Sequence, residues 1–429
     1  MHSFYYHASS LHCEGVDLET LSKEVGTPAY IYSATTIRDN FRRLHKALAP
    51  LKHRICYATK ANSNLAILRL LVEEGAGFDI VSGGELFKVL QAGGRADQCT
   101  FAGVGKMAHE IEYALSQGVY CFNVESEGEL DLINFIAGKL GCKAPIALRV
   151  NPDVDTPTHH YISTGRNKNK FGIGLDRAEE VYTHAVSLPH LRIRGIQTHI
   201  GSQILTAAPF IEAIKKLTPL IQSIRKRHTL EFFSIGGGIG IVYEEALASG
   251  DPAWWDEKKK GERLSPEEYA SKILEPLQQL NIPIFFEPGR FLVGNAGVLL
   301  TAALYRKETP EKNFLIVDAG MNDLIRPALY QGYHEIVPLQ RHPNRALEKI
   351  DVVGPVCESG DFFAQERMLP RMEVGESLAI MSTGAYGFVM GSNYNARPLP
   401  PEILIEEKKI TVVRRRQSWE DLVREEIIT

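Results

Sequence analysis

Cysteine is sparse and unpatterned in this chain. The six cysteines (Cys13, Cys56, Cys99, Cys121, Cys142 and Cys357) are scattered over 429 residues, and no two form a C-x-x-C pair. That spacing argues against a zinc site or a disulfide framework, and it predicts a metal-free protein in a reducing cytoplasm. Long apolar runs are also missing. No window reaches the roughly 18 apolar residues of a membrane span, and MHSFYYHASSLHCEG at the start has no apolar core of the signal-peptide kind. There is no excess of positive charge either. Lys and Arg number 48 against 52 Asp and Glu, a formal net charge of −4, which argues against nucleic acid as a main partner. The RRR run at 414–416 adjoins an acidic, helix-like tail and reads as solvated surface.

What is present is a rhythm of short apolar runs. They recur at RICYAT (54–59), FDIVS (78–82), TFAGV (100–104), CFNVES (121–126), IALRVN (146–151), IRGIQTHI (193–200), FFSIGGG (232–238) and IPIFFEPG (282–289). Most have the continuous apolar character of strands buried on both faces. Helical patterns separate them. NLAILRLLVEEG (64–75) stops at Gly75, and SEGELDLINFIAGKLG (126–141) and SPEEYASKILEPLQQL (265–280) open with serine three residues before glutamate, a capping-box pattern. Eight strands alternating with helices predict a TIM-like (β/α)8 barrel over residues 36–282.

Two intervals, 152–175 and 240–262, are too long for one helix and read as insertions on barrel loops. After about residue 290 the helical rhythm fades into glycine- and proline-punctuated strands. Residues 283–429 therefore read as an all-β domain, a β-sandwich or β-barrel, which also takes in the N-terminal segment 1–35 through a strand at PAYIYS (28–33).

A barrel enzyme gathers its reactive residues at the C-terminal ends of its strands. Here the first run ends in Lys60, the second carries Asp79 and is followed by Glu85, and the fifth ends in Arg149-Val150-Asn151-Pro152. The sixth ends in His199, Ser202 and Gln203, the seventh in GGGIG (236–240), and the eighth in EPGR with Glu287 and Arg290. Singly, each has an ordinary structural explanation, but all of them point to one barrel mouth. A lysine amine suits Schiff-base chemistry. Glycine amides cradle a phosphate. A flat residue such as His199 stacks on an aromatic ring, and a carboxylate such as Glu287 keeps a pyridine nitrogen protonated. Pyridoxal phosphate combines these needs.

The strings YATKAN, RVNP, TGRNKNKFGIG, HIGSQI, GGG, EPGR, MNDLIRPALY, GPVCESGD and STGAYGFVMGSNYN stand in an order that resembles the fold-type III pyridoxal-phosphate decarboxylases over nearly the whole chain. The NKFGI, IRPALY and CESGD strings look like the branch acting on meso-diaminopimelate, at the last step of lysine synthesis. The resemblance implies Lys60 as the Schiff-base lysine, His199 stacked on the ring and Glu287 on the pyridine nitrogen. It implies Ser202, Gly236, Gly237, Gly238, Gly289 and Arg290 around the phosphate with Tyr386 closing over it, and Asp79 and Glu85 near the lysine and histidine. Substrate would be held by Arg290, Arg326, Tyr330, Glu358 and Tyr386. Cys357 would return a proton after carbon dioxide leaves, and Cys357 and Glu358 would reach into the partner's barrel, making the active unit a homodimer with shared sites. A relative acting on ornithine, arginine or a carboxylated polyamine, and a non-catalytic coenzyme-binding relative, are the other readings.

Overall fold

The computed structural model describes residues 2–155, 170–257 and 263–429. The chain divides into two units, one of Asn40–Ile241 with Lys260–Leu292, the other of Met1–Asp39, Val242–Lys259 and Val293–Thr429.

The first unit is a closed parallel barrel. Its strands are β1 (His53–Ala58), β2 (Gly77–Ile80), β3 (Cys99–Phe101), β4 (Cys121–Val124), β5 (Ala144–Asn151), β6 (Leu191–Gln197), β7 (Phe232–Ser234) and β8 (Ile284–Phe286). They pair in sequence order. β8 returns to β1 through Ile284 opposite His53, and β4 joins β5 through Phe122 opposite Ile146. All eight expected runs are strands. β2, β3, β4, β7 and β8 are buried at every position, as their unbroken apolar character requires.

Helices follow the strands: α1 (Leu65–Glu73), α2 (Gly83–Gln91), α3 (Ala108–Gln117), α4 (Glu127–Lys139), α5 (Ala178–Ser187), α6 (Ala208–Arg225) and α7 (Pro266–Gln278). Ser126 and Ser265 accept from the backbone N–H of Glu129 and Glu268, so both start signals act as helix caps. The return half of the first box is diverted, because Glu129 accepts from the N–H of Glu125 instead. After α1 the chain leaves the helix at Gly75, whose φ of +83° is open to glycine at little cost.

The amino-terminal end of the barrel is plugged by side chains. Cys56, Cys121, Ala147, Phe232 and Phe285 form a buried cluster, with the two phenylalanine rings stacked at 4.4 Å. Polar residues are left for the other end.

The second unit is built on a mixed sheet. Its strands run Phe362–Pro370, Leu347–Val353, Asn313–Val317, Gly297–Glu308, Ala29–Ser33, Glu402–Glu406 and Lys409–Arg414, in that order. The long strand Gly297–Glu308 changes partner along its length. Its first half pairs with Ala29–Ser33 and its second half with Asn313–Val317, while Ser377–Ile380 lies along its other edge. The N-terminal segment thus enters the β unit as an interior strand. Its core draws on Phe4, Leu11, Ile31, Val298, Leu300, Met381 and Ile403.

Three expectations differ from the structure. The barrel was expected to end at residue 282, but the closing strand Ile284–Phe286 carries it to Leu292. Within the insertion 240–262, residues 242–257 group with the β unit rather than with the barrel, because their backbone is tied to Asn295 and Glu335. The RRR run differs only at its end: Arg414 and Arg415 are exposed as expected, paired with Glu402 and Asp421, whereas Arg416 is half-buried and donates to the carbonyl oxygens of Gly26 and Pro28. Most of the 152–175 insertion, residues 156–169, lies outside the described residues. Among the described residues no helix is long and apolar enough to cross a membrane, and no cluster of three His, Cys, Asp or Glu could hold a metal. None of the six cysteines is paired with another.

Candidate active site

Six of the eight barrel strands end on a polar residue or are followed at once by one: Thr59, Glu125, Asn151, Gln197, Ser234 and Glu287. After β1 the chain makes a single 3-10 turn, Thr59–Ala61, that buries its flanking residues and leaves Lys60 partly exposed. The Lys60 amine lies 3.3 Å from Oδ2 of Asp79 in β2. Asp79 is buried, which pushes its carboxyl pKa up, while the Lys60 charge opposes that shift. Glu85, in the first turn of α2, accepts from the N–H of Val81 at 2.8 Å. Burial raises it to about 7, against a smaller pull from Lys60.

Glu287 follows β8 directly and is held at both oxygens. Ser234, at the end of β7, donates to Oε1 at 2.6 Å, and Gln197, at the end of β6, donates to Oε2 at 2.8 Å. Burial, and after it the negative field of Asp79, raises the carboxyl of Glu287 to about 7. His199, two residues past β6, accepts from the N–H of Gly237 through Nδ1 at 3.2 Å, which places its ring proton on Nε2. Desolvation first, then the cations Arg149 and Lys60, hold it well below the ordinary histidine range. The ring is therefore neutral and flat, as a stacking partner should be.

The glycine run is dictated by space. A Cβ on Gly236 would sit 2.3 Å from the carbonyl oxygen of Thr198, one on Gly237 2.2 Å from that of Glu287, and one on Gly238 2.5 Å from that of Gly201. The loops after β6, β7 and β8 thus interlock through backbone, and Gln203 fastens two of them by bonding both the N–H and the C=O of Ile241. Beside them the buried guanidinium of Arg290 donates to Ser202 Oγ at 3.1 Å. On the far side Gly289 lets the β8 loop pack onto the lysine turn, since its Cβ would lie 3.0 Å from that of Ala61 and 3.1 Å from that of Ala58.

The barrel mouth therefore brings together Lys60, Asp79, Glu85, His199, Ser202, Gly236, Gly237, Gly238, Glu287, Gly289 and Arg290. Arg326, Tyr330, Cys357, Glu358 and Tyr386 belong to the β unit. There Arg326 is buried, Cys357 is exposed with its N–H on Asn395 Oδ1 at 2.9 Å, and Glu358 accepts from its neighbour Ser359 at 3.0 Å. Tyr386 adopts a left-handed φ of +56°.

Gln197 and Ser234, the two residues that grip Glu287, escaped sequence reasoning because each is one polar letter at the end of an apolar run. A second tier also went unassigned. Arg149 pairs with Glu125 at 2.8 Å, and Glu125 accepts from the N–H groups of Gly103 and Gly172. Lys106 is fully buried against Glu129 at 2.5 Å and two carbonyl oxygens.

These residues fit pyridoxal phosphate. The glycine corner admits no side chain and has Arg290 and Ser202 beside it, which suits a phosphate. A buried carboxyl poised at about 7 ionises readily against a pyridinium. Oδ1 of Asp79 and Oγ1 of Thr198 are buried without a hydrogen-bond partner among the described residues, which leaves polar capacity in the mouth.

Comparison with known proteins agrees. Residues 34–294 match the family model of the pyridoxal-dependent decarboxylases, pyridoxal binding domain. Diaminopimelate decarboxylase of Vibrio cholerae serotype O1 is 46% identical over 97% of this chain and 97% of its own length. The crystal structure of diaminopimelate decarboxylase from Helicobacter pylori, complexed with L-lysine, aligns at TM-score 0.88 with 42% identity, covering 95% of this chain and 98% of that one. The enzyme of the same name from M. jannaschii aligns at 0.91 with 34% identity, over 100% and 98% of the two chains. With its barrel mouth furnished for the coenzyme and its relatives matched from end to end, this chain belongs to the diaminopimelate decarboxylases, within the pyridoxal-dependent decarboxylase family.

Proposed function

We propose that the chain decarboxylates meso-2,6-diaminopimelate to L-lysine and carbon dioxide, the last step of lysine synthesis. The observation that carries this is Glu287, buried between Gln197 and Ser234 in the same mouth as the Lys60–Asp79 pair. Bound pyridoxal phosphate supplies an aldehyde for an amine and a protonated ring that draws electrons from the carboxylate bond.

The protein's part is positioning and proton control. Lys60 would hold the coenzyme through its aldehyde, as the amine positioned beside Asp79. Asp79 keeps that amine oriented. Glu287 would hold the pyridine nitrogen and keep it protonated, and His199, neutral, would stack on the ring. Gly236, Gly237, Gly238, Ser202, Gly289 and Arg290 would hold the phosphate, and Tyr386 would close over it. Arg290 and Arg326 recognise the carboxylate at the distal end of the substrate, the paired geometry for which arginine is suited. Tyr330, Tyr386 and Glu358 complete substrate binding, Glu358 as acceptor for the distal ammonium. The Cys357 thiol returns a proton to the carbon that loses its carboxylate. The active species is a homodimer in which Cys357 and Glu358 serve the partner's barrel. Six unpaired cysteines are in keeping with a cytoplasmic home.

The test is to supply purified protein and coenzyme with meso-diaminopimelate, L-ornithine and L-arginine in turn, and to measure carbon dioxide and product amine. Release of L-lysine from diaminopimelate far ahead of turnover on the other two supports the assignment; faster turnover of ornithine or arginine overturns it.

A further inference from the structure

Arg326 is buried in the β unit, and two neighbours share one of its nitrogens. Nη1 donates to the hydroxyl of Tyr243 at 2.8 Å and to Nε2 of His334 at 2.9 Å. His334 is itself fully buried, and its Nδ1 lies 2.7 Å from the carbonyl oxygen of Met381, a group that only accepts. The tautomer follows: Nδ1 carries the proton, and Nε2 offers its lone pair to the guanidinium. The Tyr243 ring lies 4.8 Å from Cζ of Arg326 and meets the His334 ring edge-on at 5.1 Å. The backbone beside Tyr243 is anchored too. The Val242 carbonyl accepts from Asn295 Nδ2 at 2.8 Å, and the Leu247 N–H donates to Glu335 at 2.7 Å.

We propose that Tyr243 and His334 are positioning residues that orient Arg326 for the distal carboxylate of the substrate. Both protons of Nη1 are engaged by the bracket. With that nitrogen held, the plane of the guanidinium is fixed, and a planar fork suits a carboxylate through paired hydrogen bonds. A long side chain fixed before binding loses less freedom on binding. The bracket consequently acts on affinity for ligands that carry the carboxylate and not on the bond-breaking step. The 242–257 segment, which carries Tyr243, thereby contributes to substrate recognition. The inference rests on Arg326 being a substrate-binding residue.

Tyr243→Phe removes one hydroxyl and keeps the ring. In the holoenzyme it raises KM for meso-diaminopimelate and Ki for L-lysine about tenfold, with kcat held within about twofold. Ki for 1,5-diaminopentane, which has no carboxylate, stays put. His334→Gln, able to accept at one end and donate at the other, keeps most of the affinity that His334→Leu loses. Arg326→Ala is the reference: it raises both constants alone, and adding Tyr243→Phe to it changes neither further. The bracket is overturned, with the role of Arg326 intact, if Tyr243→Phe leaves both constants unmoved. The same holds if that change weakens diaminopentane as much as lysine, or if the double variant is worse than Arg326→Ala. If Arg326→Ala itself moves nothing, the substrate role of Arg326 falls and the bracket falls with it.

Discussion

The amine of Lys60 stands 3.3 Å from Oδ2 of Asp79, a carboxylate buried on β2 and raised in pKa by that burial. The pair crosses from the turn after one strand to the next strand, and it sets the lysine amine against a carboxyl group held inside the barrel.

Replacing that amine is expected to end catalysis. Lys60→Ala should lose at least about a thousandfold in kcat, on the scale of losing a covalent catalytic group. Borohydride reduction in the presence of coenzyme should label the wild type at Lys60 and leave the variant unlabelled. A Lys60→Ala protein that keeps full turnover would remove the basis of the assignment.

Glu287 predicts a pH signature in coenzyme-free protein. Its carboxyl is raised from 4.5 to about 7 by burial, and next by Asp79. Between those values the folded chain holds a proton that the unfolded chain has released, so stability declines as pH climbs through that window. The ceiling on the effect is about 3 kcal/mol. Glu287→Gln should flatten this part of the curve, because Gln197 Oε1, buried and without a partner among the described residues, can receive the new amide once the Gln197 amide turns over. Denaturant midpoints of both proteins at pH 5 and pH 8 check it; equal slopes would count against it.

The glycine corner predicts a contrast between two alanine substitutions. Gly237→Ala puts a methyl group 2.2 Å from the carbonyl oxygen of Glu287, a backbone atom that has no rotamer to escape with. It should cost about 1–3 kcal/mol and weaken coenzyme retention. Gly128→Ala, in α4 with nothing within 4 Å, should be neutral or stabilise by up to about 1 kcal/mol. Thermal melts and coenzyme absorbance distinguish the two.

The proposed homodimer, with each site completed by the partner, predicts complementation. Lys60→Ala and Cys357→Ala proteins, each nearly inactive, should regain about a quarter of wild-type activity when mixed under conditions that exchange subunits, the share of intact sites expected for a twofold dimer. No recovery in a mixture shown to contain heterodimers would mean that each chain uses its own cysteine.

The barrel was legible in the sequence because strands buried on both faces must be apolar throughout, and runs such as CFNV and FFS announce themselves. The candidate site residues stand out for a related reason: Lys60, His199 and Glu287 each interrupt such a run at its carboxyl end. Gln197 and Ser234 interrupt runs in the same place, yet an uncharged letter at a strand end is ordinary, and only the packed barrel shows both pointing at one carboxylate. The domain boundary was misread at 282 because β8 is only three residues long in the structure and the helical punctuation after it is one short turn, Arg290–Val293. Tyr243 was hidden for another reason. Its partners Arg326 and His334 lie some eighty or more positions further along, and no local pattern records a contact at that separation.

The strand Ala29–Ser33 lies between Gly297–Glu308 and Glu402–Glu406. On the ribosome, then, this segment emerges ahead of the barrel and has no neighbour until Gly297–Glu308 has been made, and no second one until Glu402–Glu406 has followed. During that interval its unpaired edges are open to any other strand, while the barrel, whose own pairings are complete by residue 286, has everything it needs. Nascent chains stalled before Glu402 should accordingly carry a protease-resistant barrel and a cleavable amino terminus, and the order of synthesis, rather than the order of the sheet, decides which half of this protein is born vulnerable.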